Sequence, residues 1–446
     1  VIALCTTLWL AALTGITVTV APDQPLPHVY IDEPLIIEIT AEESVTVEAE
    51  VRVYNDEGFV QAVSLGSRRL PGGGARWFAM DDIPMERGNY RLEIVLTDEA
   101  GRVWERQVDC SRIERPPASA FPGLVVDARH ASGDLLELAA RAAGVGTVRL
   151  EFGTDEFDGL LPPLLEAGLR VVIAATLADV EALVAHLGGL ERSQRDLVAR
   201  CELAYEGDPA AWLAAAASLR QGVSGLEAVP MLRDADELTA LLSESPGLLR
   251  QTVSNGANTG ELRAAAAELG VEHLSLFAGP GVPTPDDAES LGAWLRSVLT
   301  AWGDGYSQFA VSEGHLLHDD GLGKAFPYLA MMAHRLSDYR FMGALPMEDG
   351  GPTVLLFRRG AAWMAAAWSE SEATIDLPLG PAERLAAFDA RGNPFAPGNL
   401  ENGTLAITVD AMPRFWTGQG GHIFSRVARR QAVVRAEAVM AQSRAR

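Results

Sequence analysis

The sequence predicts a multidomain α/β plus all-β protein. A central (β/α)8 TIM barrel is flanked by an N-terminal immunoglobulin-like β-sandwich and a small C-terminal β-sandwich. Three observations predict it. Apolar and polar residues alternate with period two over residues 16–113. Short apolar runs then alternate with helical patterns over residues 123–337, the mark of a parallel α/β fold. Period two returns over residues 338–421.

The chain begins with an uncharged stretch, Val1 to Ala21. Within residues 1–15, VIALCTTLWLAAL has the length of a signal-peptide core. No methionine or basic segment precedes it, so the sequence reads as clipped at its start. An export signal is the favoured reading, which places the protein outside the cytoplasm: secreted, periplasmic or on the cell surface. A membrane anchor is the alternative, since about 20 apolar residues span a bilayer. The threonines and Gly15 argue against it.

LIIEIT, VTVEAEVRVY and YRLEIVLTD supply the alternation of the first sandwich. The turn signals Asn55-Asp56-Glu57-Gly58, Pro71-Gly72-Gly73-Gly74 and Asp98-Glu99-Ala100-Gly101 separate its strands. A packing or spacer role is expected of this domain. Residues 114–122, ERPPASAFP, form a proline-rich linker.

Eight barrel strands are expected: Leu124–Arg129, Thr147–Phe152, Arg170–Thr176, Cys201–Glu206, Leu226–Leu232, Leu249–Ser254, His273–Ala278 and Gln308–Glu313. LLELAARAA, ELTALLSE, ELRAAAAEL and AESLGAWLRSVLTAW supply helices between them, and Gly144, Gly168 and Gly270 stand where helices would end. Units this short leave little loop for a deep pocket. After the second sandwich, residues 422–446 read as a basic helix.

Composition excludes some functions. The net charge of −24 argues against general nucleic-acid binding, which needs basic surface. Lysine occurs once, at Lys324, so the arginines reflect base composition rather than phosphate recognition. The three cysteines, Cys5, Cys110 and Cys201, fall in different predicted segments, and no disulfide is expected. CxxC, HExxH, GxSxG and phosphate-loop patterns do not occur. No metal and no cofactor is expected. His315, His318 and Asp319 read as a solvated loop, and Asn402-Gly403-Thr404 as a turn.

A barrel of this kind carries its chemistry at the C-terminal ends of its strands. There the sequence places Asp127, Arg129 and His130; Arg149 and Glu151; Tyr205, Glu206 and Asp208; Asn255 and Asn258; and Ser312 and Glu313. Two carboxylates facing across a sugar-sized gap can hydrolyse a glycosidic bond, one protonating the leaving oxygen, the other attacking the anomeric carbon or activating water. Glu206 and Glu313 are the candidate catalytic pair. A strand-end acid can equally do no more than cap the next helix. Arg149 and Glu151 can form a buried ion pair instead of touching substrate. Phe152, Tyr205 and Phe277 are candidates for stacking on sugar rings. Trp212, Trp294 and Trp302 fall at helical spacing and read as core.

Residues 123–418 resemble the clan A glycoside hydrolases, xylosidase/iduronidase-like members especially. VRLEFG is similar to the second-strand arginine motif. CELAYEGDPAAW resembles the fourth-strand motif whose Asn-Glu-Pro triplet carries the acid/base, with Tyr205 in place of Asn and Gly207 in place of Pro. SQFAVSEG resembles the seventh-strand motif that ends in the nucleophile. DARGNP and PRFW resemble the β-sandwich that often follows such barrels. The resemblance implies an acid/base role for Glu206 and a nucleophile role for Glu313. Arg149 and Tyr205 would then orient the second carboxylate or the substrate, and the strand-end residues Asp127, Glu151, Asn255 and Phe277 are the further substrate-binding candidates. Counting the eight strands in order makes SQFAVSEG the eighth. HLSLFAG is then the seventh, with Phe277 at the nucleophile position. Treating Leu226–Leu232 or Leu249–Ser254 as an extra strand restores Glu313.

The leading functional reading is an exported hydrolase acting on an oligosaccharide or polysaccharide. The alternative is a catalytically degenerate, non-catalytic barrel that binds carbohydrate or acts as a scaffold at the cell surface.

Overall fold

The computed structural model describes residues 15–424 except 25, 57, 81–84, 117–122, 129–132, 245–250, 255–258, 270, 272, 278–286, 304–305, 319–320, 346–350, 381 and 421–422. The predicted export segment, most of the linker and most of the C-terminal helix therefore lie outside the described residues. The chain divides into two compact units. One comprises residues 1–230, 280–284 and 310–334, the other residues 231–279, 285–309 and 335–446.

The first unit opens with eight strands: β1 (Ile16–Val20), β2 (His28–Tyr30), β3 (Leu35–Ala41), β4 (Val45–Asn55), β5 (Gly58–Leu70), β6 (Gly74–Met80), β7 (Gly88–Asp98) and β8 (Val103–Ile113). They form a three-stranded sheet, β1-β3-β6, and a five-stranded sheet, β2-β8-β7-β4-β5. Both sheets contribute to one apolar core. Ile37 and Ile39 of β3, Val51 and Val53 of β4, and Leu92 and Ile94 of β7 are fully buried within it. Alternation explains this, because every second side chain of a strand faces the same way. The period-two pattern in LIIEIT and VTVEAEVRVY is the imprint of that packing.

Eight parallel strands follow: β9 (Leu124–Ala128), β10 (Thr147–Glu151), β11 (Arg170–Ala175), β12 (Val198–Ala204), β13 (Ala228–Leu232), β14 (Gln251–Ser254), β15 (His273–Phe277) and β16 (Tyr306–Ser312). Their hydrogen-bonded order runs from β9 through β10 to β16 and back to β9, a closed barrel. One boundary matters for function. The fourth strand was expected over Cys201–Glu206 but spans Val198–Ala204, so Glu206 lies past its end.

In the second unit, strands from Arg340–Ala344 to Arg414–Gly420 form a six-stranded and a three-stranded sheet. They share a core that includes Trp363, Leu377, Leu405 and Trp416. No described helix is long and apolar enough to cross a membrane.

Candidate functional site

The segment after β12 was the centre of the sequence argument. Its turn holds Tyr205, buried, and Glu206, exposed. Among the described residues the structure gives the Glu206 side chain no hydrogen bond or ion pair. Capping, the mundane use for a strand-end acid, falls to Asp208 instead. Asp208 Oδ1 accepts from the backbone N–H of Ala210 at 2.9 Å and of Ala211 at 3.2 Å. That starts the helix Pro209–Gly222, with Pro209 in the first turn, where its missing N–H costs nothing. Gly207, between the two acids, has φ +89°, a backbone region open to glycine and strained for other residues. Other acids near strand ends are used in the same way as Asp208. Asp179 joins Thr176 in a capping box after β11, and Asp234 accepts from the Glu237 N–H after β13.

Below this turn the barrel wall is ionic. Register sets Asp127, Arg149, Val172 and Arg200 in one row across β9, β10, β11 and β12, with Glu151, Ala174 and Glu202 in the next row. Within this set the polar side chains of Asp127, Arg149, Arg200 and Glu202 meet. Arg149 Nη1 donates to Asp127 at 2.7 Å, and Arg149 Nε donates to Glu202 at 2.7 Å. Arg200 Nη2 donates to the other oxygen of Glu202 at 2.6 Å. All four are buried. Burial works to discharge Arg149, but Glu202 and then Asp127 outweigh it and raise its pKa, so the guanidinium stays charged. Two cations facing two anions leave the cluster neutral.

This corrects one expectation. Arg149 does not pair with Glu151, whose side chain is exposed. Asp127 and Arg149 lie buried in mutual ion pairs. The missed partners are Glu202 and Arg200. Their signal was present in VARCELA, where two charged residues spaced by two interrupt an otherwise apolar run. In a closed barrel that spacing puts both on one face.

Glu313 follows β16, the eighth strand of the closed barrel. The count that made SQFAVSEG the seventh strand is thereby corrected: β15 is the seventh, and it ends in Phe277. No extra strand enters the order. Glu313 opens a single 3-10 turn, Glu313–His315, whose start is capped by Ser312 Oγ accepting from Gly314 N at 3.2 Å. Its side chain is partly exposed. His315, read as part of a solvated loop, is instead fully buried, with Nδ1 3.1 Å from the Ser312 carbonyl. Burial pushes its pKa down to about 4 despite that bond.

Phe152 packs edge-on against Phe157 (ring centroids 5.0 Å apart) and near His186, so it belongs to the helix layer and not to a stacking platform. Trp212 and Trp294 are buried as expected, and Trp302 is half-buried. Asn255, Arg129 and His130 lie outside the described residues. Cys110 and Cys201 are buried free thiols. Burial pushes Cys110 up to about 12 and raises Cys201 further. No cluster of metal-ligating side chains occurs among the described residues.

No family model matches the chain, and no curated protein matches it in sequence. Solved structures do match. A family 39 glycoside hydrolase from the gut symbiont Bacteroides cellulosilyticus WH2 superposes with TM-score 0.60 at 13% identity, over 90% of this chain and 100% of that one. A GH30 endoxylanase from Clostridium papyrosolvens C71 gives TM-score 0.51 at 9% identity, over 69% of this chain and 98% of that one. The chain shares the fold of these glycoside hydrolases.

Proposed function

We propose that this protein is a non-hydrolysing member of that fold class, which binds saccharide at the C-terminal end of its barrel. The observation that carries the reading is Phe277 at the end of β15, where the resemblance calls for the second carboxylate. Glu206 keeps the acid/base position and is exposed. It is suited to accept hydrogen bonds from sugar hydroxyls. The changed neighbours agree with lost catalysis. Tyr205 is buried, and Gly207 adopts a backbone that proline cannot. The altered turn therefore differs from an Asn-Glu-Pro triplet in shape as well as in sequence. The N-terminal segment supports export to the compartment where polysaccharides are met.

Hydrolysis by Glu206 and Glu313 is the second reading. It is favoured by their placement after the fourth and eighth strands, both at C-terminal ends. Those strands stand four apart in an eight-stranded ring. A carboxylate separation of roughly 6.5–9.5 Å would then predict inversion, and one near ~5 Å retention.

One experiment separates the readings. The wild type, Glu206→Gln and Glu313→Gln are tested for hydrolysis of aryl glycosides and for calorimetric binding to neutral and uronate-containing oligosaccharides. The expected result is binding without turnover, weakened in Glu206→Gln and retained in Glu313→Gln. Turnover abolished by either change would replace this reading with the two-carboxylate hydrolase. No binding to any oligosaccharide would end the saccharide reading altogether.

A further inference from the structure

The first sandwich holds two tryptophans outside its core and treats them differently. Trp104 on β8 is partly buried, and the Arg102 guanidinium lies over its ring, 5.5 Å from the centroid. Trp77 on β6 is 50% exposed, with no ring or cation against it among the described residues. A ring of this size is mostly taken out of water in folded proteins. The core does not need Trp77, because Phe78 and Met80 supply the buried side chains of β6.

Register builds the face around it. Thr19, Glu38 and Trp77 form one row across β1, β3 and β6. On that same face, Thr17, Thr40 and Ala75 form the row on one side, and Ile36 and Ala79 flank it on the other. Every one of these residues is exposed or partly exposed. Ala75 and Ala79 are the neighbours of Trp77 on its own strand face, so no bulky side chain crowds the indole there. Glu38 carries the one charge of this set, and neither it nor the threonines use their side chains in a hydrogen bond or ion pair. The outer face of the five-stranded sheet is the opposite case. There Arg52 donates to Glu50 at 2.7 Å and to Glu93 at 3.3 Å, and Tyr54 donates to Glu93 at 3.1 Å. That face satisfies itself, whereas the face of β1, β3 and β6 leaves a carboxylate and hydroxyls open beside a bare ring.

We propose that this face is a saccharide-binding surface separate from the barrel, taking a neutral, extended oligosaccharide with one pyranose ring on Trp77. The chemistry of the face selects that occupant. The indole face is electron-rich and attracts the electropositive C–H groups on the flat side of a pyranose. Strands lie ~4.8 Å apart, so the row places Glu38 about 5 Å and Thr19 about 10 Å from the strand that carries the indole. A carboxylate and a hydroxyl at that reach can meet the hydroxyls at the rim of the stacked sugar and of its neighbour. Glu38 disfavours an anionic sugar, since neither arginine nor lysine shares the face. A protein partner would need roughly 800 Å² a side around a packed apolar centre, and this face offers one large ring. The site stands whether or not the barrel binds saccharide.

The test is fluorine NMR on the whole chain labelled with 5-fluorotryptophan, titrated with cellohexaose and with xylohexaose. Trp77→Phe identifies the Trp77 resonance among the 9 tryptophans by its loss. The expected result is a saturable shift of that resonance. It should be unchanged in Glu206→Gln and weakened at least ~3-fold in Glu38→Ala, where the row loses its acceptor. A Trp77 resonance that neither sugar moves overturns the proposal. So does a shift that vanishes in Glu206→Gln, which would trace it to the barrel, or one whose affinity Glu38→Ala leaves intact. Binding that Glu206→Gln leaves wholly unchanged while Trp77 still responds ends the barrel reading and supports this one.

Discussion

The first sandwich and the barrel wall of the same unit solve burial in opposite ways. The sandwich core is aliphatic: Ile37, Ile39, Val51, Val53, Leu92 and Ile94 have no polar atom to satisfy. The wall of β9, β10 and β12 buries two arginines and two carboxylates that must all be satisfied together. An aliphatic core loses stability by increments, because each methylene contributes separately. An ionic cluster fails as a set, because removing one member leaves another buried and uncompensated. The sandwich is therefore tolerant and the barrel wall exacting.

The contrast is broken most severely at Arg149. Arg149→Met keeps volume but removes the buried cation that Asp127 and Glu202 share, leaving Glu202 to Arg200, and should cost roughly 3–5 kcal/mol by denaturant titration. Replacing Asp127, Arg149, Arg200 and Glu202 together with apolar residues should recover much of that loss. If the single change costs no more than a sandwich methylene, the cluster is not acting as a unit.

Acidification gives the next largest effect. His315 is held neutral in the fold with its pKa near 4, while in the unfolded chain it takes up a proton near its ordinary 6.5. Stability contributed by the neutral ring is complete above pH 6.5 and falls as pH drops from 6.5 toward 4. The loss is at most about 3 kcal/mol at roughly 1.4 kcal/mol per unit. Thermal melts between pH 7 and 4.5 should show this slope, and it should flatten in His315→Leu. An unchanged slope in that variant would assign the acid sensitivity to another group.

Smaller effects sharpen the comparison. Ile37→Val in the sandwich should cost about 1 kcal/mol, with no effect on barrel ligands. Asp208→Ala removes two N-terminal hydrogen bonds of its helix and should also cost about 1 kcal/mol. Because that helix follows the Glu206 turn directly, saccharide binding should weaken with it. Binding untouched in Asp208→Ala would separate the cap from the site.

Much of the architecture was legible in the sequence because period is a local property. Alternation in the sandwich and βα succession in the barrel both follow from which side chains face a core. The site was less legible because it depends on register and on ring closure, which are not local. Arg149 lies next to Glu151 along the chain but meets Asp127 and Glu202, one on the neighbouring strand and one two strands away. Whether Glu313 follows a seventh or an eighth strand depends on every strand before it. His315 looked solvated because Glu313, His318, Asp319 and Asp320 lie close to it in sequence, yet the chain after it folds back, with the Gly323 N–H donating to the Leu316 carbonyl at 2.7 Å. That return was not marked in the sequence.

Gly207 carries a consequence for redesign of the turn. A proline ring fixes φ near −65°, and this position stands at +89°. A single change of the turn to Glu-Pro would meet a backbone that rejects it, even though space around the residue is open. Such a change would require the loop between Ala204 and Pro209 to be rebuilt with it, so the unit to graft at this turn is the whole loop and not one residue.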